Sequence, residues 1–179
     1  MQNSQPFVTA AGPRHRKFTT SAVAVQAIVI KEKEQVLLLA KPGEKQIWQI
    51  VSGALEAGET LLDGTLREVS EELGSDIKVR PLGVAHVETF HFDENVPFML
   101  GTYYLFAYLG GNIVPGDDMA GSDFRWWSLA ELEKETPKLH ASSKLWMLKR
   151  AVELYQLWVE QPNVPLQPGL ALVILKENT

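Results

Sequence analysis

Residues 67–74 read Arg-Glu-Val-Ser-Glu-Glu-Leu-Gly and set three carboxylates, Glu68, Glu71 and Glu72, at spacings i, i+3 and i+4. In a helix that spacing gathers all three on one face within about one turn. Like charges so placed cost about 0.2–0.5 kcal/mol per pair unless something offsets them. A hard divalent cation is a natural offset, because it takes oxygen ligands from a few carboxylates, waters and substrate phosphates. The same segment carries an apolar side of Leu61, Leu62, Leu66, Val69 and Leu73. One helix must therefore bury one side and leave its acidic side facing an ion. A Glu-x-x-Glu-Glu run on its own is also what any solvated acidic helix face looks like, so the surroundings decide.

Upstream runs Gly53-Ala54-Leu55-Glu56-Ala57-Gly58-Glu59. Gly53, five residues, Glu59, seven residues, Arg67-Glu68-x-x-Glu71-Glu72-x-Gly74 is the spacing of the Nudix signature, and the chain resembles that family at every charged and glycine position of the motif. Two positions depart from it. Ser75 stands where an aliphatic residue is usual, a packing difference. Val51-Ser52 stands where Pro-Gly often precedes the first glycine. At Ser52 the family often offers a backbone carbonyl to the metal, which needs no particular side chain.

The resemblance implies an α/β (α+β) fold, an α/β/α sandwich with a mixed β-sheet, and a Mg²⁺- or Mn²⁺-dependent cleavage of a pyrophosphate link. It implies Glu71 and Glu72 as metal ligands and Glu68 as ligand, general base or both, with the Ser52 carbonyl as a further ligand. Arg67 and Glu59 support them, since an arginine fork bonding a carboxylate would hold the cluster's geometry. Gly53 lets the backbone come close to substrate. A further carboxylate from a distant loop is expected at Asp117 or Asp118, with Glu88, Asp93 and Glu94 as competitors.

Bulk properties agree with that chemistry. The net charge is −5 and the pI about 5.4, so the basic footprint of a duplex nucleic-acid binder is absent. Phosphate-rich substrates would be repelled without locally bound positive charge. The sequence has no cysteine, which excludes disulfides, thiolate nucleophiles and cysteine-held zinc, and accords with a cytoplasmic setting. Arg14-His15-Arg16-Lys17 followed by the apolar run Ala22–Ile30 has the outline of a signal segment. Gln26 interrupts that run and a charged turn follows it, so it reads as a β-strand. At well under the ~20 apolar residues a bilayer span requires, it is no membrane helix.

The whole chain, 1–179, reads as one domain with an N-terminal arm over residues 1–17 and a C-terminal extension over 161–179. Strands are expected at Ala22–Ile30, Gln35–Ala40, Ile47–Val51, Ile77–Arg80, Gly83–Phe92 and Phe98–Leu109, with Lys41–Lys45 and Ile113–Ser122 as loops. Thr60, followed three residues on by Asp63, should cap the acidic helix, and Gly74 should end it. Gly64 inside the helix should permit close packing on a strand. Asp123–Leu129 should be a strand entering a helix capped by Ser128 with Glu131.

The last helix, Ala141–Glu160, carries two apolar stripes, wider than one sheet contact needs. The surplus suggests a second subunit, hence a homodimer, or cover from the apolar segment Leu170–Leu175, which reads as a further strand. Trp48, Phe90, Phe92, Tyr103 and Tyr104 are candidates to stack on a base, although strand aromatics are more often core. His86, His91 and His140 have no evident partner.

Two other function classes stay open. One is a binding module that senses nucleotides; such modules tend to lose the motif carboxylates, and this chain keeps them. The other is an isoprenyl diphosphate isomerase, which is expected to need a cysteine. The reading is therefore a hydrolase of nucleoside diphosphates linked to X, such as ADP-ribose, or of nucleoside triphosphates, with diadenosine polyphosphates and capped RNA 5′ ends left open; no membrane partner is expected, and the acidic pI counts mildly against RNA.

Overall fold

The computed structural model describes residues 8–11, 17–40, 46–94, 96 and 98–163. Nine strands and three α-helices are present among them: β1 (Val8–Ala11), β2 (Lys17–Thr20), β3 (Ala22–Lys31), β4 (Gln35–Ala40), β5 (Trp48–Gln49), β6 (Val51–Ala54), α1 (Leu61–Leu73), β7 (Lys78–Phe90), β8 (Met99–Gly110), β9 (Asp123–Trp127), α2 (Leu129–Glu135) and α3 (Leu145–Trp158).

The main sheet runs β5-β4-β3-β8-β7, with β6 added on β3 and β9 on β4. It is mixed, because β3 and β8 are parallel while every other pairing is antiparallel. β3 lies at its centre and is buried on both faces from Ala24 to Ile30, which explains its unbroken apolar run. Alternation then sorts its side chains. Ala27 and Val29 join Phe106 and helix α1 through Leu62, Val69 and Leu73. Ile28 and Ile30 join Tyr103, Leu105 and helix α3 through Met147, Leu148, Ala151, Val152 and Leu154. Two apolar layers, one on each face of a single sheet, make the α/β/α sandwich.

Several expectations change in detail. The polar N-terminal arm is partly a hairpin: Val8–Ala11 pairs antiparallel with Lys17–Thr20 in a separate two-stranded sheet. Its β-branched Val8, Thr9, Thr19 and Thr20 favour extended backbone. The expected strand Ile47–Val51 is two strands that change partner at Ile50, with Trp48–Gln49 on β4 and Val51–Ala54 on β3. The strands expected at Ile77–Arg80 and Gly83–Phe92 are one, β7, with register shifts at Lys78/Val79, Pro81/Gly83 and Val84/His86. Pro81 is tolerated because β7 is an edge strand and carries a bulge there. Lys41–Lys45 and Leu170–Leu175 lie outside the described residues.

The last helix starts four residues later than expected. Both of its apolar stripes pack into the chain's own core, buried through Met147 to Tyr155 and partly buried at Leu145, Trp158 and Val159, and Trp158 comes within 2.8 Å of where a β-carbon on Gly83 would stand. Much of the width that suggested a second subunit packs on the chain's own sheet. Among the described residues no helix is long and apolar enough to cross a membrane.

Helix α2 begins as its sequence predicts. Ser128 Oγ accepts from the Glu131 amide, and the Glu131 carboxylate accepts from the Ser128 amide and hydroxyl, closing a capping box. Arg125 adds a charged donor to Glu131 at 2.9 Å. The Ser128 amide and hydroxyl, with Arg125, hold the Glu131 carboxyl at about 2, against an ordinary 4.5. A depressed folded-state value means that this stabilisation is complete above pH 4.5 and is lost as pH falls towards 2. Glu131→Gln should therefore lower the melting temperature at neutral pH and flatten its decline between those two values. Thermal unfolding followed by circular dichroism across the acid range checks this; an unchanged slope in the variant would contradict the assignment.

Candidate active site

Helix α1 carries the acidic face. Thr60 caps it, accepting from the Asp63 amide at 3.2 Å, and Gly74 ends it at φ 98°, a conformation a glycine adopts without strain. Leu62, Val69 and Leu73 point into the sheet, and Glu68 and Glu72 are also buried, at 9% and 1% exposure. Burial of two carboxylates on a helix that needs neither for its own packing requires compensation by charge.

Arg67 provides much of it. Its guanidinium has five N–H donors, and five contacts use them. Nε donates to Glu59 Oε1 at 2.8 Å, and Nη2 donates to Glu59 Oε2 at 3.1 Å and to the Ala54 carbonyl at 2.9 Å. Nη1 donates to Glu68 Oε1 at 2.8 Å and to Glu71 Oε2 at 2.9 Å. Glu59 in turn accepts from the Glu56 amide at 2.9 Å. The loop Ala54–Thr60 is thereby pinned across the start of the helix. The guanidinium holds Glu59 below the usual carboxylate range. Glu68 moves the other way: burial pushes its carboxyl up, and Arg67 only partly opposes this.

The glycines are explained by the same contacts. A β-carbon at position 53 would stand 1.9 Å from the Glu68 carboxyl carbon, so the carboxylate rests directly on the bare backbone of Gly53. A β-carbon at Gly64 would come within 2.8 Å of both Glu59 Oε2 and Leu55 Cδ1. Gly64 thus packs on the Ala54–Thr60 loop, not on a strand as the sequence suggested. Ser52 lies beside Gly53 on β6, paired with Gln26 of β3.

The distant loop also arrives. Gly116 donates its amide to the Glu72 carbonyl at 3.3 Å, and Val114 donates to the Leu73 carbonyl at 2.9 Å. A 3₁₀ turn at Asp117–Met119 follows, anchored by buried Met119. Asp118 lies close enough for its charge to help raise Glu68, while Asp117 opens the turn at φ 47°. Asp93 accepts from the Val96 amide at 2.7 Å, a turn-forming role. Tyr104 packs in the α1-side core.

Trp48 does something other than line the site. Its ring meets Trp127 edge-on with centroids 5.3 Å apart, packed against the α3-side core. Its backbone holds the segment 138–143: Trp48 donates to Lys138 and accepts from His140, both at 2.9 Å, and the next turn is fixed by Ile50 donating to Ser143 Oγ. That segment forms one wall of a cavity of about 580 Å³ that opens beside Ser52, Gly53 and Ala54 and includes Phe90, His91, Phe92, Tyr103 and His140. Its size is that of a small-molecule site. Glu88 sits in it with Tyr103 Oη donating at 2.8 Å and Lys144 Nζ donating at 3.0 Å. Burial would raise Glu88, but these two hydrogen bonds hold it below the usual range. His86 meets Trp146 edge-on and Tyr103 at a tilt, with Nε2 3.8 Å from Glu88. Sequence reasoning missed Lys144, and met Gln26, which also lines the cavity, only as the polar break in an apolar strand.

This arrangement agrees with comparison to known proteins. The NUDIX domain model matches residues 20–148. The chain belongs to the NUDIX family. It is 33% identical over 112 residues to the NAD-capped RNA hydrolase NudC of Photobacterium profundum, a match covering 62% of this chain and 40% of that protein. It is 26% identical over 114 residues to the ADP-ribose pyrophosphatase of Methanocaldococcus jannaschii, covering 62% of this chain and 65% of that one. Its fold is similar to the crystal structure of an ADP-ribose pyrophosphatase from Streptococcus suis 89-1591, with a TM-score of 0.61 at 18% identity over 81% of this chain and 96% of that chain. This NUDIX chain spans about two-fifths of the length of the NudC protein it matches.

NUDIX hydrolases generally use divalent metal ions. The donor set here fits one: Glu68, Glu71 and Glu72 offer only hard oxygen ligands, and Gly53 leaves room for the Glu68 carboxylate that a side chain would displace. Among the described residues no three His, Asp or Glu side chains stand together closely enough to hold a metal ion by themselves. Gly53→Ala should leave the fold intact, because only the far end of a flexible side chain must move, yet weaken Mn²⁺ binding about 10- to 100-fold. Calorimetric titration with Mn²⁺ beside a melting curve checks this; parental affinity in the variant would contradict the Gly53 cradle.

Proposed function

We propose that this NUDIX chain hydrolyses the pyrophosphate link of a nucleoside diphosphate joined to a further group, using Mg²⁺ or Mn²⁺. The observation that carries the proposal is the Glu68 carboxylate, buried against Gly53 and tied to Arg67, on the same helical face as Glu71 and Glu72. Glu68, Glu71 and Glu72 would hold the metal with the Ser52 carbonyl beside them. When bound, a divalent ion neutralises pyrophosphate charge and lowers the pKa of water. The chain's own residues do the rest. Water attacks one phosphorus, the bridging P–O bond breaks, and the leaving phosphate takes the electron pair. Glu68, whose burial raises its proton affinity, accepts the proton from the water. Arg67 and Glu59 hold that carboxylate in place, and Asp118 lends further negative charge near it.

The cavity beside Gly53 receives the remainder of the substrate. The names of the relatives, NAD-capped RNA hydrolase and ADP-ribose pyrophosphatase, both contain an ADP moiety, and ADP-ribose is the substrate we favour. The acidic chain does not favour a long polyanion. A purely binding module would have no need to keep all three motif carboxylates, Glu68, Glu71 and Glu72.

The test is a panel of ADP-ribose, NAD, nucleoside triphosphates and a diadenosine polyphosphate, each with Mg²⁺ or Mn²⁺, read by separation of phosphate-bearing products. Turnover of at least one member, abolished by EDTA, is expected; none with either ion would sink the hydrolase reading. Glu68→Gln keeps the size of the side chain and removes its basicity, so turnover should fall by about 10²- to 10⁴-fold with the melting curve preserved. A variant as active as the parent would assign the proton transfer elsewhere.

A further inference from the structure

Gln26 stands out once the motif is accounted for. It lies on β3, the most protected strand of the sheet, between Val25 and Ala27, which are both fully buried. The residues before and after it on the same face are Ala24 and Ile28, so an apolar side chain would suit the position. The side chain is instead a primary amide, 2% exposed, lining the cavity beside Gly53. Its carbonyl Oε1 has no hydrogen-bond partner among the described residues. A buried amide oxygen without a donor is destabilising, and native structures rarely keep one without a use.

The neighbours narrow what that use is. Tyr103, cross-strand from Gln26, has already given its hydroxyl to Glu88, and Lys144 has given its ammonium to the same carboxylate. Neither is directed at Gln26. Around it the cavity presents Phe90, Phe92 and Met99 together with Ser52, its partner on β6, and His91 and His140. A flat group bordered by aromatic side chains, with an N–H directed at a buried amide oxygen, is the chemistry of an amino-bearing heterocyclic base. A bare phosphate would present acceptor oxygens to an acceptor oxygen, and a free sugar, whose hydroxyls could donate, has no flat aromatic face to set against these rings.

We propose that Gln26 is a specificity-determining residue, which accepts a hydrogen bond from the exocyclic amine of an aminopurine base seated in the cavity beside Gly53. This deepens the proposed function and rests on it for one point only: the phosphates extend from the base towards Glu68. Gln26 touches the base and has no part in bond cleavage. An amine-bearing base gains a hydrogen bond to an oxygen that is otherwise unpaired, and a base lacking the amine gains none; that difference is the discrimination.

The test avoids metal and turnover. Binding of AMP, of purine riboside 5′-monophosphate (the same nucleotide without the amine) and of ribose 5-phosphate is measured by calorimetry on the metal-free full chain. AMP should bind on the order of tenfold more tightly than the deaminated nucleotide, the scale of one neutral hydrogen bond, and ribose 5-phosphate more weakly still. Gln26→Met, which keeps length and volume, should make the two nucleotides equal, with purine riboside monophosphate bound at least as well as by the parent. The parent's preference is measured without any mutation, so a variant that fails to fold leaves it decisive. Equal affinity of the parent for both nucleotides overturns the proposal. So does preference retained in a folded Gln26→Met, ribose 5-phosphate binding as tightly as AMP, or no AMP binding up to millimolar concentration. Hydrolysis without AMP selectivity would leave the pyrophosphatase standing and remove the role of Gln26.

Discussion

The site is organised around one guanidinium. Arg67 faces Glu59, Glu68, Glu71 and the Ala54 carbonyl at once, and no other cation is bonded to these acids among the interactions described. Charge-assisted and bidentate, these are the strong kind of hydrogen bond, and their planar fork fixes direction as well as distance. A lysine would supply the charge but not the fork. Because a single group satisfies loop and helix together, the loop's position and the helix's charge balance are one variable. Removing Arg67 would leave buried Glu68 without its main compensation, a heavier loss than any one of the contacts suggests.

The sheet supplies the frame for this arrangement. β3 pairs with β4 at its far end and with β6 at its near end, and the exchange between them, at Ile50, lets the glycine approach peel off and reach the carboxylates. The parallel pairing of β3 with β8 sets Gln26 beside Tyr103. One face of that pair is core against α3, and the same face, two residues towards the start of β3, becomes cavity wall. The carboxylates of α1 and the cavity therefore stand on opposite sides of one sheet edge, joined through the bare backbone of Gly53.

Much of this was legible in the chain because it depends on local rules. Thr60, Asp63 and Gly74 mark the ends of α1 by capping chemistry, and Ser128 with Glu131 marks the start of α2 in the same way. The acidic face follows from helical period, and the motif from its spacing. What stayed hidden depends on partners distant in sequence. Nothing near Gly64 reveals that its neighbour is the carboxylate of Glu59. Nothing near Pro81 reveals an edge strand that tolerates a bulge. The width of α3 looked like a subunit interface because the bend that brings Gly83 under Trp158 cannot be read from either residue. Trp48 suggested a base platform; its ring packs on Trp127 and its backbone clasps the 138–143 segment, a supporting role that composition does not separate from a binding one.

The carbonyls at the end of α1 have a consequence for how the chain can vary in length. Those of Glu72 and Leu73 are satisfied from outside the helix, by the amides of Gly116 and Val114, and a β-carbon on Gly116 would press on the Glu71 carbonyl at 2.7 Å. The connection between β8 and β9 thus serves as the final cap of the acidic helix. An insertion there would shift the backbone of Glu71 and Glu72 even though it lies about forty residues away in sequence. The turn between β7 and β8 lines the cavity with His91 and Phe92, and among the described residues it makes no backbone hydrogen bond to α1. Homologues that differ in loop length should therefore absorb it at that turn, where added residues would reshape the entrance and leave the acidic helix undisturbed.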